Sequence, residues 1–466
     1  MTVNLKPNTL RALREQGYQV IPVREEIRNN LIGKIRSEEV IFPGIIGFED
    51  TVIPQMENAL LSGQDIILLG ERGQAKSRLI RGLINLLDDY VPVVEGCEIN
   101  DNPFNPICYG CREKLAQMGD DLPVGWITPG DRYSEKLATP DISIADLIGE
   151  IDPIKIAEGR YLGDELAIHY GLVPRTNRGI FCINELPDLS ERIQVGLFNL
   201  MEERDVQIKG YRVQLPLDVY VVSTANPEDY TNRGRIVTPL KDRYGSQIHT
   251  HYPKTLDQEI FIMDQERSHF PDEDSLIIPQ FMKEILAEVT VQARNSNEIN
   301  QRSGVSVRAS IANYETLLSN SVRRSIRQGQ TTSCPRVSDL PYIMASLSGK
   351  IELETFEEGR EGRIMEDLVK RAVAVIFSQY FGDMNLDDIV ESFDIGNTAQ
   401  TGSDEPGQNY QQMLTNIKGL PAAVLTITDD SRPEVQASVI EFILEGLHLN
   451  RRLNCERTPV GYVYRR

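Results

Sequence analysis

A short apolar run followed at once by a glycine-rich turn constrains the fold of this chain more than any other feature. The run is Asp65–Leu69, the turn reads GERGQAKS from Gly70 to Ser77, and helical spacing follows in Ser77–Leu87. Strand, glycine-rich loop and helix in this order are typical of the phosphate-binding template G-x-x-x-x-G-K-[ST]. The sequence departs from that template once, because Ala75 stands in the place of its second glycine.

This loop predicts a nucleotide site with a role for each part. Backbone N–H groups around Gly73 can surround a phosphate at a helix N-terminus. Lys76 would reach the β- and γ-phosphates, and the Ser77 hydroxyl would ligate Mg²⁺. A chance glycine-rich turn is the alternative. We therefore expect ATP and Mg²⁺ as cofactors, with the nucleotide contacted by Gly70, Glu71, Arg72, Gly73, Gln74, Ala75, Lys76 and Ser77.

A second apolar run, Gly179–Ile183, ends in the polar pair Asn184-Glu185. The end of a buried strand beside a phosphate loop is where a metal-side acid and a catalytic acid are expected. Asn184 occupies the metal-side position, where an aspartate is expected, and brings no charge to Mg²⁺. Glu185 would orient and polarise the attacking water. On its own, the pair could be no more than the start of a loop.

A third apolar run, Val219–Ser223, continues to Asn226. A polar side chain at the tip of a strand beside the nucleotide can hold the water near the γ-phosphate, and Asn226 suits that role. It could equally be a turn residue before Pro227. Further along, Val206 and Leu215 flank Lys209-Gly210 in a pattern that predicts a hairpin.

Strands that alternate with helices predict an α/β fold with a mostly parallel sheet covered by helices on both faces. Beyond residue 255 the pattern becomes helical, and a final helix is expected from Ser431 to His448, with Ser431 and Glu434 forming a capping box. The predicted domains are a helical N-terminal segment (1–40), an α/β nucleotide-binding core (41–255), a helical lid (256–350) and a helical C-terminal extension (351–466) with a polar linker near 396–410.

Composition restricts the cellular setting and the partners. The net charge of -20 weighs against nucleic-acid binding, because phosphate backbones attract Lys and Arg. No apolar run approaches the length of about 18–20 residues that a membrane helix needs. The N-terminal MTVNLKPNTLRALREQ has no apolar signal core. We therefore expect a cytoplasmic protein without a membrane span.

Three of the six cysteines lie close together in GCEINDNPFNPICYGC. Cys108 and Cys111 form a C-x-x-C pair, which is typical of zinc sites, and Cys97 could be a third ligand. No histidine is near, so the sequence offers no obvious fourth ligand. The alternative is a set of reduced, unpaired thiols in a loop.

Taken in order, these motifs resemble the AAA+ family of P-loop ATPases, and specifically its magnesium-chelatase ATPase-subunit (subunit I) and MoxR branch. The resemblance covers roughly residues 40–350 and includes IFPGIIGFEDTVIPQMENALLSGQDIILLGERGQAKS. It implies that TPLKDRYG places Arg243 as an arginine finger and that GVSVRAS places Arg308 as a phosphate-contacting residue of the lid. Arg233 and Arg235 are weaker finger candidates, and a surface ion pair is the alternative for Arg243 and Arg308. It also identifies residues 142–180 and the Lys209-Gly210 hairpin as insertions that mark this branch.

The same resemblance implies a function: an ATPase that works as a homo-oligomeric ring, expected to be a hexamer, and remodels a partner protein with a von Willebrand A domain. True magnesium chelatase is the narrower interpretation, from which Asn184, the cysteine-containing insertion and the long C-terminal region depart. A nucleotide-gated assembly protein with little hydrolysis is the alternative, and under it Asn184→Asp would raise turnover. A sigma-54-type transcription activator is the weakest interpretation, because no GAFTGA-like loop and no helix-turn-helix pattern is present.

Overall fold

The computed structural model describes residues 6–157, 165–207, 214–226, 235–270, 273–301, 303–354, 360–458 and 461–466. The chain divides into two compact units, residues 1–251 and residues 252–466. None of the described helices is long and apolar enough to cross a membrane.

The first unit alternates strands and helices. Its strands are β1 (Ile66–Leu69), β2 (Val91–Val94), β3 (Val124–Ile127), β4 (Tyr133–Leu137), β5 (Gly149–Ile151), β6 (Ile168–Tyr170), β7 (Gly179–Asn184), β8 (Asp205–Gln207), β9 (Gln214–Pro216), β10 (Val219–Ala225) and β11 (Ser246–His249). Its helices are α1 (Leu10–Glu15), α2 (Val23–Arg36), α3 (Val52–Leu61), α4 (Lys76–Gly82), α5 (Tyr109–Met118), α6 (Ile144–Leu147), α7 (Pro153–Ala157), α8 (Leu172–Arg175), α9 (Glu191–Gly196), α10 (Phe198–Glu202) and α11 (Thr238–Arg243).

Five of these strands form one parallel sheet in the order β11-β1-β10-β7-β4. The register pairs Leu69 of β1 with Ala225 of β10 and with His249 of β11. Because all five strands run the same way, their carboxyl ends meet at one edge. Ligands bind at this edge in open parallel sheets, next to strands whose neighbours are not consecutive in the chain. Strand β1, which leads into the glycine-rich loop, is such a strand.

Both faces of the sheet are covered, as the sequence predicts. Alternate residues of each central strand enter different hydrophobic clusters, so that Ile67 and Phe181 face one layer while Ile66 and Cys182 face the other. The first layer contains residues from α9, α10 and α11, and the second contains residues from α2, α3 and α4. Strands β1, β7 and β10 are buried throughout, which explains why each is a continuous apolar run.

Residues 6–40 pack into this unit. Helix α2 contributes Val23, Ile27 and Leu31 to the layer under the sheet. The buried Arg132, which precedes β4, donates two hydrogen bonds to the carboxylate of Glu26 on α2, at 2.6 and 2.5 Å. An ion pair with both members buried therefore joins α2 to the segment that leads into β4.

Small antiparallel hairpins lie at both predicted insertions. Strands β5 and β6 pair in the first insertion, and β8 and β9 pair on either side of Lys209-Gly210. Residues 158–164 of the first connection and residues 208–213, the whole of the second, lie outside the described residues. Strands β2 and β3 also pair antiparallel, and α5 lies between them in the chain.

The second unit is mainly helical. Its elements are α12 (Leu256–Glu266), α13 (Gln280–Arg294), α14 (Val307–Gln328), α15 (Met344–Ser348), α16 (Glu361–Phe381), α17 (Asp387–Asp394), β12 (Ala399–Thr401), α18 (Gly407–Asn416), α19 (Leu420–Ile427), α20 (Pro433–Leu449), β13 (Asn454–Thr458) and β14 (Gly461–Arg465). One hydrophobic cluster extends from Ile260 to Tyr464, so residue 350 does not separate two cores.

Two local expectations for this unit are wrong. Residues 396–410 are not a linker, because they contain β12, which pairs with β14, and the start of α18. Their polar composition does not indicate that they pair with β14, which lies about 60 residues further along the chain. The capping box is also absent: Arg432 is the N-cap residue of α20 and makes no side-chain capping bond. Pro433 in the first turn fixes the start of that helix instead.

Candidate nucleotide-binding site

The glycine-rich loop connects β1 to α4 at the carboxyl edge of the sheet, as predicted. Gly73 has φ +77° and Ala75 has φ +53°, so both lie in the left-handed region. That conformation explains why the template has a glycine where this chain has Ala75, since an alanine there costs about 1–2 kcal/mol. A Cβ on Gly70 would lie 2.0 Å from Thr250 Oγ1, so this position accepts no side chain.

Gln74 holds the loop closed from within. Its buried side-chain carbonyl accepts from the Glu71 backbone N–H at 3.0 Å and from the Thr250 hydroxyl at 2.7 Å. Thr250 follows β11, and its backbone N–H donates to the Leu69 carbonyl. The loop is therefore fixed to two strands, which keeps its backbone in the shape needed to surround a phosphate.

Lys76 begins α4 and is 7% exposed. Its ammonium group donates to the carbonyl oxygens of Gly70 and Glu71 and, at 2.6 Å, to Asn226 Oδ1. The two carbonyl acceptors belong to the glycine-rich loop, and the third acceptor belongs to the residue that directly follows β10. Ser77, the next residue, is exposed at the mouth of the loop.

Asn226 and Glu185 lie together at the ends of neighbouring strands. The Asn226 amide donates to Glu185 Oε2 at 2.6 Å, while its carbonyl accepts from Lys76. The Glu185 backbone N–H donates to Thr224 Oγ1 at 3.0 Å, and Glu185 has φ +58°. The sharp turn at Glu185 directs the chain away from β7 immediately after Asn184. Lys76, Asn226 and Glu185 thus form one continuous chain of hydrogen bonds.

Asn184 has a carboxylate beside it that the sequence did not reveal. Its side-chain amide donates to Glu135 Oε1 on β4, and its carbonyl accepts from the Thr224 hydroxyl at 3.3 Å. Arg81 of α4 donates to both Glu135 oxygens, at 2.8 and 2.9 Å. These hydrogen bonds hold the pKa of Glu135 below its ordinary value. The negative charge missing at Asn184 is therefore present on the adjacent strand, although only the β4–β7 pairing brings it there.

Arg243 has a partner within its own chain. Its guanidinium pairs with Glu202 of α10, donates to the Pro239 carbonyl at 2.7 Å and lies 4.8 Å from the ring centroid of Phe198. The side chain remains 25% exposed at the end of α11. This is the surface ion pair that the sequence left open as an alternative, and its Glu202 partner is itself 57% exposed.

No described contact joins the remaining arginine candidates to the glycine-rich loop. Arg308 is exposed at the start of α14, in the second unit. Arg233 lies outside the described residues, and Arg235 is exposed just before α11. Their assignments stay predictions.

The three clustered cysteines converge in space. Cys97 and Cys108 are half-buried, Cys111 is buried, and all are unpaired thiols. Their sulfur atoms and a carboxylate oxygen of Asp101 lie within 4.8 Å of one another. The sequence offered no fourth ligand because aspartate is too common in loops to be singled out.

A parallel sheet covered on both faces, with a closed glycine-rich loop at its carboxyl edge and polar strand ends around Lys76, defines a P-loop protein of the AAA+ type. The sequence profile of the sigma-54 interaction domain matches residues 156–240, a stretch that includes β7 and β10. The chain has this fold and is similar in sequence to magnesium-chelatase subunit I proteins.

These relatives are distant. The chain is 26% identical over 242 residues to magnesium-chelatase subunit ChlI-2 of Arabidopsis thaliana, covering 49% of this chain and 52% of that protein. It is 28% identical over 214 residues to the ChlI homolog of Methanocaldococcus jannaschii, covering 44% and 53%. The chain thus spans about half the length of the curated relatives it matches.

A solved complex between subunits BchI and BchD of magnesium chelatase is also similar, at 18% identity and a TM-score of 0.36, with 70% of this chain and 98% of that chain covered.

Proposed function

We propose that this protein binds Mg-ATP at the Gly70–Ser77 loop and hydrolyses it as a homo-oligomeric ring that remodels a partner protein. The observation that carries the proposal is the hydrogen-bond chain Lys76–Asn226–Glu185 at the carboxyl edge of the sheet. It joins the residue that would hold the γ-phosphate to the residue that would polarise the water. The relatives are subunits of a larger enzyme, which supports assembly as part of the proposal.

The residues of the loop suit a nucleoside triphosphate. The left-handed turns at Gly73 and Ala75 curve the backbone between β1 and α4, and the Gln74–Thr250 bond keeps it curved. Lys76 would exchange its two carbonyl partners for phosphate oxygens and keep Asn226. An ammonium that is already buried and aligned needs little rearrangement to stabilise charge on a transferring phosphoryl group.

Mg²⁺ would be held by the Ser77 hydroxyl and, on the Asn184 side, by the Glu135 carboxylate. The bound ion would supply positive charge that offsets the charge of the phosphates. Glu135 suits this role because Arg81 keeps it ionised and Asn184 fixes its direction. Asn184 then acts as a positioning residue, with the carboxylate supplied by β4.

Hydrolysis requires a water aligned with the γ-phosphate. Glu185 is oriented by Asn226 through a 2.6 Å bond, and its carboxylate is the proposed acceptor of a proton from that water. Arg308, from the lid, and Arg243, from a neighbouring subunit, are the proposed cations that offset the developing charge. Arg243 would have to exchange Glu202 for phosphate, which a 57% exposed partner permits.

The partner would be a protein with a von Willebrand A domain, and the setting cytoplasmic. The partner follows from the resemblance to the subunit I and MoxR branch, whose members assemble as rings, with a hexamer expected. The alternative, a nucleotide-gated assembly protein with little hydrolysis, is favoured by one observation: Asn184 itself carries no charge.

The decisive experiment is steady-state ATP hydrolysis by the purified full-length chain over a range of protein concentrations, with Glu185→Gln as the matched control. Specific activity that rises with concentration and disappears in Glu185→Gln supports a ring with shared sites. Retained ATP binding without hydrolysis at any concentration supports nucleotide gating and overturns the proposed ATPase. Absence of ATP binding overturns both.

A further inference from the structure

The loop between β2 and α5 brings four metal-ligating side chains to one point, well apart in sequence from the phosphate loop. Cys97 follows β2, Cys108 is the N-cap residue of α5, and Cys111 lies in the first turn of that helix. Asp101 lies between them in the loop. One ligand atom from each residue falls within 4.8 Å of all the others.

Asp101 supplies the fourth ligand that the sequence lacked. The residue is fully buried, with no solvent exposure. Its two carboxylate oxygens accept from the backbone N–H groups of Ile107 and Cys108, at 3.1 and 3.0 Å. Ligating carboxylates are commonly oriented by such outer hydrogen bonds, which leave further lone pairs for a metal. A carboxylate buried beside three thiols is costly unless a cation compensates it.

The backbone is arranged to stabilise sulfur in its charged form. The N–H groups of Ile99 and Asp101 both donate to Cys97 Sγ at 3.4 Å, and the Cys111 N–H donates to Cys108 Sγ at 3.4 Å. The chain turns back on itself between Cys97 and Asp101 through Asn100, which has φ +54°. Donors aimed at sulfur favour thiolates, the form in which cysteine ligates a metal.

The ligand set indicates which metal. Thiolate-rich sites with one oxygen ligand suit Zn²⁺, which is usually four-coordinate and tetrahedral in structural sites. A tetrahedron with Zn–S bonds of about 2.3 Å has edges of about 3.8 Å. Ligand atoms already within 4.8 Å need only a small contraction to reach it. A disulfide between Cys108 and Cys111 would account for two of these side chains and leave Cys97 and Asp101 unexplained.

We propose that Cys97, Asp101, Cys108 and Cys111 bind one structural Zn²⁺. Four protein ligands leave no open position, so the site is structural and not catalytic. It holds α5 and its preceding loop against a small hydrophobic cluster formed by Leu10, Val94, Cys111 and Leu122. The metal would therefore stabilise the β2–β3 hairpin, α5 and the docking of α1, independently of the nucleotide.

The first test uses the unmodified full-length chain, expressed with zinc in the medium and purified under reducing conditions. Elemental analysis is expected to find about one Zn²⁺ per chain. A mercurial reagent that caps thiols should release that zinc to a chromogenic chelator. Replacement with Co²⁺ should give the intense sulfur-to-cobalt absorption of a tetrahedral thiolate site. Substoichiometric zinc together with no Co²⁺ absorption would overturn the proposal.

Variants then identify the ligands. Cys97→Ser, Cys108→Ser and Asp101→Asn should each reduce bound zinc at least tenfold after dialysis against a competing chelator. Cys455→Ser, which removes a half-buried thiol in the second unit, should keep it. Binding of a fluorescent ATP analogue reports whether each variant is folded. Zinc retained by folded Asp101→Asn, or lost from Cys455→Ser, would contradict the four-ligand set.

Discussion

The side-chain amide of Asn184 donates a hydrogen bond to the carboxylate of Glu135, which lies on the neighbouring parallel strand. Arg81 completes the arrangement from α4, so an arginine, a carboxylate and an amide form one group beside the phosphate loop. An aspartate at position 184 would face Glu135 with a like charge. The hydrogen bond to Glu135 explains why an amide suits position 184. It also determines the effect that substitutions at positions 184 and 135 should have on Mg²⁺-dependent hydrolysis.

Exchanging the two functional groups should preserve the site better than changing either one. Glu135→Gln removes the only carboxylate of the described Asn184–Glu135–Arg81 group, so we expect at least a tenfold rise in the Mg²⁺ concentration needed for half-maximal hydrolysis. Asn184→Asp alone adds a repelling charge and should not raise turnover. The double variant Glu135→Gln/Asn184→Asp should recover much of the loss. Magnesium titrations of steady-state hydrolysis measure all three, and an unchanged Mg²⁺ requirement in Glu135→Gln would exclude its role.

Arg81 should set the acid limb of the pH–rate profile. Its hydrogen bonds depress the pKa of Glu135, which keeps the carboxylate ionised as pH falls. In Arg81→Ala that pKa rises, so activity that depends on the ionised form should be lost at a higher pH than in the unmodified protein. The control is Arg11→Ala, which removes an arginine from an exposed pair with Asp121. Identical acid limbs in all three proteins would disprove the dependence.

Lys76→Ala should weaken nucleotide binding at least tenfold, since it removes a charge-assisted bond to the phosphates. Titration with a fluorescent ATP analogue measures the affinity. Lys34→Ala, which breaks only an exposed pair with Glu39, serves as the control and should bind normally. Equal affinity in the two variants would mean that the nucleotide does not bind at this loop.

Substitutions of Arg243 and of Glu202 should have different effects on ATP turnover. Arg243→Ala is expected to keep ATP affinity and lose turnover, because the finger acts on the transition state in a neighbouring subunit. Glu202→Ala releases the guanidinium from its partner in the same chain and should leave turnover intact or higher. Affinity and turnover are compared at the same protein concentration. A large loss of ATP binding in Arg243→Ala would rule out the finger assignment.

Breaking the buried pair between Glu26 and Arg132 should destabilise the first unit strongly. Glu26→Gln leaves the Arg132 charge buried without its carboxylate, which typically costs about 3–5 kcal/mol. Denaturant unfolding followed by tryptophan fluorescence is suitable, because the single tryptophan, Trp126, belongs to β3 of this unit. Asp121→Asn, in the exposed pair with Arg11, should change little.

The parts of the site that could be predicted are those carried by local patterns. The phosphate loop, β7 and β10 were visible because a buried parallel strand is a continuous apolar run. Glu135 was not visible, because nothing in YSEKL indicates that β4 lies beside β7. Asp101 could not be predicted as a candidate metal ligand for a similar reason, because that role depends on three cysteines that the fold brings near it. The linker prediction failed because β12 pairs with a strand that begins at Gly461.

The position of β1 has a consequence for how the protein is made. Among the described strands it pairs with β10 and β11, and the Thr250 hydroxyl that donates to the Leu69 carbonyl is 181 residues further along the chain. During synthesis the glycine-rich loop therefore emerges long before the strands that hold it. A nascent chain should acquire affinity for ATP late and abruptly, once residues near 250 have left the ribosome.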